Sequence, residues 1–121
     1  MEPKFKTREE VLQDAIDYFW GKPERKCVNH DGICSYTPIG ESEGCAIGRL
    51  IPIEIAKKLR YAVYEIGTFN LLPSWLKDMG YQFLVELQRC HDMSAFADMK
   101  KKRVARHMSA YVDMGKITFP N

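Results

Sequence analysis

Thr7-Arg8-Glu9-Glu10-Val11-Leu12-Gln13-Asp14-Ala15-Ile16-Asp17-Tyr18-Phe19-Trp20 is the stretch whose reading decides the fold class. Thr7 and Glu10 have the spacing of a capping box, in which the hydroxyl accepts from the third helical amide and the carboxylate reaches back to the cap. Val11, Leu12, Ala15, Ile16 and Phe19 then form one apolar stripe, and Glu9, Gln13, Asp14 and Asp17 occupy the other side. Gly21 suits a left-handed cap and Pro23 blocks continuation, so a helix is predicted from about Arg8 to Trp20.

Working outward, the same signals recur. Pro52 followed by Ile53, Ile55, Ala56, Leu59, Val63 and Ile66 predicts a helix over 52–65, ended by Gly67. Pro73 and Gly80 bracket a short helix carrying Trp75 and Leu76. Phe83, Leu84, Leu87 and His91 continue helically from Tyr81. Ser94 is placed to cap a last helix over 95–114, with Phe96, Met99, Val104, Met108 and Tyr111 on its apolar side. Residues 22–44 carry three glycines and two prolines and read as a looped insert. Asp31-Gly32 between Cys27-Val28 and Cys34-Ser35-Tyr36 signals a short hairpin there. Ser42 or Gly44 is placed to cap a helical turn beginning at Cys45. The expected architecture is mainly α, a single domain over 1–121. It is a compact bundle of five or six helices with a short β-hairpin insert and a basic C-terminal helix.

The 121 residues suffice for one hydrophobic core without disulfides or a structural metal. Four cysteines, Cys27, Cys34, Cys45 and Cys90, fit free thiols in a reducing compartment and contain no Cys-x-x-Cys knuckle. No window of 18 apolar residues exists, and Met1 to Lys6 lacks a signal-like apolar run. A cytoplasmic protein without a membrane partner is expected. Eighteen Lys and Arg against sixteen Asp and Glu leave a formal charge of +2. That total conceals an asymmetry, since residues 94–121 hold six basic and two acidic side chains.

Three constellations carry candidate chemistry. Cys45 at a helix start, with His91 as base and Asp92 beside it, has the residue types of a thiol hydrolase or transferase. Glu41 and Glu43 oppose thiolate formation, however, and adjacent helical positions such as His91 and Asp92 point about 100° apart. His91 also shares a face with Leu84 and Leu87, so both Cys45 and His91 read equally as core residues. Cys27, His30 and Cys34, with Cys45 or His91, supply enough ligands for zinc at a non-standard spacing. Lys100, Lys101, Lys102, Arg103 and Arg106 form a basic run suited to nucleic acid or an acidic protein, or to a solvated helix face. Trp20 and Trp75 are candidate partner-binding aromatics, with packing of the insert onto the bundle as the plainer role.

Cys34-Ser35-Tyr36, the Cys45-Ala46-Ile47-Gly48-Arg49-Leu50-Ile51-Pro52 box and Leu87-Gln88-Arg89-Cys90-His91-Asp92 together resemble a family of small uncharacterised phage and bacterial proteins. That family has a Cys-x-Tyr, Cys-Ala-Ile-Gly-x-Leu-Ile-Pro, Leu-Gln-x-x-His-Asp pattern. The resemblance implies a phage or prophage setting and singles out Cys34, Tyr36, Cys45, Pro52, Gln88, His91 and Asp92, with no established activity. No phosphate loop and no paired carboxylates appear at a recognisable spacing. The leading functional expectation is therefore a small accessory protein that binds a host or phage macromolecule, foremost a protein. A cysteine-dependent enzyme using Cys45 and His91, and a nucleic-acid binder using the last helix, are the alternatives.

Overall fold

A computed structural model describes residues 2–29 and 34–120. The described residues are mainly helical: α1 spans Arg8–Phe19, α2 Ile53–Ala56, α3 Ile66–Phe69, α4 Ser74–Lys77, α5 Tyr81–Asp92 and α6 Lys101–Met108, with short 3₁₀ turns between. No described helix is long and apolar enough to cross a membrane. The capping box forms as the sequence predicts: the Thr7 hydroxyl accepts from the Glu10 amide and the Glu10 carboxylate accepts from the Thr7 amide. Val11, Leu12, Ala15, Ile16 and Phe19 are all buried. Gly21 adopts φ +69° just past the helix end.

α5 is the central element. It packs against both α1 and α6, and Phe83, Leu84, Val85, Leu87, Gln88, Cys90 and His91 are buried along it. Its end explains why the last helix starts late. Ser94 takes φ +61°, the Ser94 amide donates to the His91 carbonyl, and the Ala95 amide reaches back to the Cys90 carbonyl. This paired pattern satisfies the terminal carbonyls and stops a helix. Met99, at φ +56°, repeats it, with the Met99 amide on Phe96 and the Lys100 amide on Ala95. The predicted helix over 95–114 is thus shortened to α6, whose Val104 and Met108 are buried. Lys101, Lys102 and Arg103 occupy its first turn, where cations oppose the macrodipole at about 0.3–1 kcal/mol each.

Two further expectations change. The predicted helix over 52–65 survives only as α2; just past it the Lys58 and Leu59 amides turn back to the Ile55 and Ala56 carbonyls, three residues earlier, and two later carbonyls are taken by side chains. The Tyr36 hydroxyl donates to the Tyr61 carbonyl at 2.9 Å and the Tyr81 hydroxyl to the Tyr64 carbonyl. Residues 57–65 run as an irregular strap between α2 and α3. The hairpin is reduced to one isolated antiparallel bridge, Val28 to Cys34, with no ladder among the described residues; Asp31 and Gly32 lie outside them.

The turn beginning at Cys45 is also tighter than a helix. Its 3₁₀ segment is Gly48–Leu50, and the Gly48 amide donates to Cys45 Sγ at 3.4 Å. The Cys45 amide donates to the Ser35 carbonyl, drawing the turn onto residues 35–36. Gly48 is obligatory in this contact, since a Cβ there would lie 2.1 Å from the Tyr36 carbonyl oxygen. Ser42 is buried and bridges to the Arg25 carbonyl, fastening the loop to the segment leading to Cys27.

Candidate functional site

His91 sits on the last turn of α5, 2% exposed, with its ring edge-on to Phe19 at 5.0 Å. Its Nε2 lies 2.9 Å from the Cys27 amide, and its Nδ1 lies 2.8 Å from Asp92 Oδ1. A backbone amide can only donate, so Nε2 is the acceptor and the neutral ring carries its proton on Nδ1, directed at the Asp92 carboxylate. Asp92 does orient His91, contrary to the expectation from adjacent helical positions. Both ring nitrogens are thereby committed, one to the main chain of the insert and one to a carboxylate.

Gln88, one turn earlier, completes the relay. Its Oε1 accepts from the Ile47 amide at 3.3 Å, which fixes the amide's orientation. Its Nε2 donates to Asp92 Oδ1 at 2.9 Å and to Cys34 Sγ at 3.0 Å. Three residues at i, i+3 and i+4 on α5 thus hold the Cys27 segment, Cys34 and the Cys45–Gly48 turn. That spacing was readable in the sequence, where Gln88 entered only through the family resemblance.

Cys27, Cys34 and Cys45 gather around this relay. The hydrogen bond from Cys45 and then burial push the half-buried Cys34 thiol up. Burial pushes Cys27 up, and its Sγ donates to the Thr37 carbonyl at 3.4 Å. Cys90 is pushed up to about 12, mainly by burial and secondarily by Glu86. All four cysteines are free thiols and Cys45 is fully buried. A nucleophilic cysteine needs the opposite setting, an accessible thiol whose anion is favoured. The site brings Cys45, His91 and Asp92 into one network, but His91 Nε2 faces the Cys27 amide.

The metal reading draws on the same cluster. Cys27, Cys34 and Cys45 interact with one another. His30 lies outside the described residues. Among the described residues no group of three or more His, Cys, Asp or Glu side chains is arranged to hold a metal ion. Trp20 and Trp75 are corrected as partner-binding rings: they are 6% and 7% exposed, Trp20 packing on Phe119 at 4.9 Å. Lys100, Lys101, Lys102, Arg103 and Arg106 are all exposed.

The buried thiols have a consequence for alkaline stability. Cys90 ionises near its ordinary 9.0 in the unfolded chain and only at about 12 when folded. The unfolded state therefore loses this proton first, and the contribution, complete below about pH 9, is lost as pH rises through the folded value. Urea titrations between about pH 9 and 11 should show a fall that is shallower in Cys90→Ala by about 1.4 kcal/mol per pH unit. Equal slopes for parent and variant would refute this assignment.

Several large exposed apolar side chains lie on the segment following α2. Tyr61 is 69% exposed, Tyr64 57%, Ile66 64% and Leu71 50%, all on the strap and the α3 region. Comparison with protein-family models, curated proteins and solved structures finds no match to this chain.

Proposed function

We propose that this chain is a small accessory protein of phage or prophage origin that acts by binding a protein partner, and that the partner docks on the strap and α3, residues 57–71. The observation that carries this reading is the contrast between backbone and side chain there. The Tyr61 and Tyr64 carbonyls are held by the hydroxyls of Tyr36 and Tyr81, while the Tyr61 and Tyr64 rings point to solvent with Ile66 and Leu71. Phe69 packs edge-on against Tyr81 at 5.4 Å, anchoring α3 as well. Exposed aromatics on a fixed backbone lose little further freedom on binding, which favours them as anchor residues. Single exposed apolar side chains need no explanation, but four within eleven residues concentrate exposed apolar surface on this one segment, and Tyr61 and Leu71 line one hollow there.

Lys57, Lys58 and Arg60 border the patch and are exposed, against one acidic side chain, Glu65, within 57–71. A shallow hollow of about 320 Å³ lies between Arg60, Tyr61, Glu65 and Leu71. The matching partner is an apolar segment with acidic flanks. Tyr36, one of the residues singled out by the resemblance, ties the surroundings of the His91 network to the strap through its hydroxyl on the Tyr61 carbonyl. A fully buried Cys45 and a fully bonded His91 give the cysteine-enzyme alternative less support.

Selection of a displayed peptide library against the folded protein tests this. Enriched peptides should combine apolar and acidic residues and bind Tyr61→Ser/Tyr64→Ser/Ile66→Ser at least tenfold more weakly, about 1.4 kcal/mol or more. These positions are exposed, so the variant should keep the parent's denaturation midpoint within about 0.5 kcal/mol. Peptides that bind parent and variant equally would place docking elsewhere and overturn the proposal.

A further inference from the structure

From Met99 to Val112 the chain contains no acidic residue, while Lys100, Lys101, Lys102, Arg103 and Arg106 stand exposed on one continuous surface. None of the five meets a described carboxylate: the nearby Glu86 is occupied by Arg89 and His107. Soluble surfaces ordinarily intersperse charges of both signs. Here a single sign is concentrated at the end of α6 where the macrodipole already adds positive potential, an arrangement that helix stability disfavours. The charges surround a shallow depression of about 420 Å³ that Met99 also lines. Lys101 Nζ lies 5.8 Å from the ring centre of half-buried Phe119, which puts an aromatic ring at the edge of the patch.

We propose that this surface binds nucleic acid through its phosphodiester backbone. A regular line of phosphates matches a surface of one sign, and each neutralised phosphate releases counterions. An anionic membrane is the poorer fit. Interfacial helices insert an apolar face, whereas the two large apolar side chains of α6, Val104 and Met108, are fully buried against the core. Phe119 beside Lys101 offers a single strand a surface on which bases stack, which a phosphate-only contact does not need. This surface is separate from the strap.

Fluorescence anisotropy with a labelled single strand of about 20 nucleotides, and with the corresponding duplex, tests the proposal. Binding should weaken with salt at a slope of about −3 to −4 in log–log form, as expected for four or five phosphate contacts. Lys100→Gln/Lys102→Gln/Arg103→Gln should bind at least tenfold more weakly, with the slope reduced by about 2. Its melting temperature should equal or exceed the parent's, because charges opposing the helix are removed. The strap variant Tyr61→Ser/Tyr64→Ser/Ile66→Ser should bind the oligonucleotides as the parent does, which separates this proposal from the protein-docking one. A single strand bound more tightly than the duplex supports the stacking surface; a duplex bound more tightly supports backbone contact alone. No binding at about 50 mM salt, undiminished binding by the triple Gln variant, or tighter binding to phosphatidylserine vesicles than to either oligonucleotide would overturn it.

Discussion

Gly48→Ala should destabilise the protein by about 3 kcal/mol or more, the largest effect expected of any single methyl group added to this chain. The added Cβ would fall 2.1 Å from the Tyr36 carbonyl oxygen and 2.7 Å from the Tyr36 carbonyl carbon and Cα. These are backbone atoms, which cannot rotate away as a flexible side chain would. Relief requires the Cys45–Gly48 turn to leave residues 35–36, breaking the Cys45 amide bond to the Ser35 carbonyl and displacing the Ile47 amide from Gln88. Gly67→Ala is the internal control. It lies in α3 with nothing within 4 Å of the new methyl group, and alanine there should be neutral or stabilising by up to about 1 kcal/mol. Urea denaturation of the two variants checks both expectations. A Gly48→Ala midpoint within about 1 kcal/mol of the parent would show that the turn is not packed as described.

His91→Leu should cost about 3 kcal/mol, although leucine preserves much of the apolar contact with Phe19. The loss is polar: the Cys27 amide keeps its burial and loses its acceptor, and Asp92 loses one of its two donors. Gln88→Leu similarly strands the Ile47 amide. Because Gln88 and His91 share Asp92 Oδ1, their effects should be non-additive, with a coupling of about 1 kcal/mol in the double-mutant cycle. Strict additivity would mean that the two side chains act independently and that the relay is not a unit.

The first helix was legible because everything that defines it is local. Thr7 and Glu10 close the capping box within one turn, and the stripe from Val11 to Phe19 needs only a core to face. The strap was not: its Tyr61 and Tyr64 carbonyls are held by hydroxyls from Tyr36 and Tyr81, 25 and 17 residues away, contacts that no local pattern announces. Apolar spacing over 52–65 looked helical, yet Leu59 and Val63 are buried from an irregular backbone. Ser94 and Met99 carry no local sign of a left-handed conformation; glycine would have given one. At the candidate site the residue set was readable and the roles were not. His91 drew attention as a base for Cys45 with Asp92 beside it, whereas the partner that defines the ring, the Cys27 amide, is a backbone group 64 residues away. Trp20 and Trp75 stood out by size and went to the core, while the exposed rings are tyrosines.

His91 is a structural link whose Nε2 accepts from the fold's own main chain. Nitrogen-15 NMR of the histidine rings in the native protein at neutral pH measures this directly. His91 should show a protonated Nδ1 and an unprotonated Nε2, the former slow to exchange with solvent and the latter coupled through a hydrogen bond to the Cys27 amide. A proton on Nε2, or a charged ring at neutral pH, would contradict it, because the Cys27 amide would then face another donor and the relay could not close.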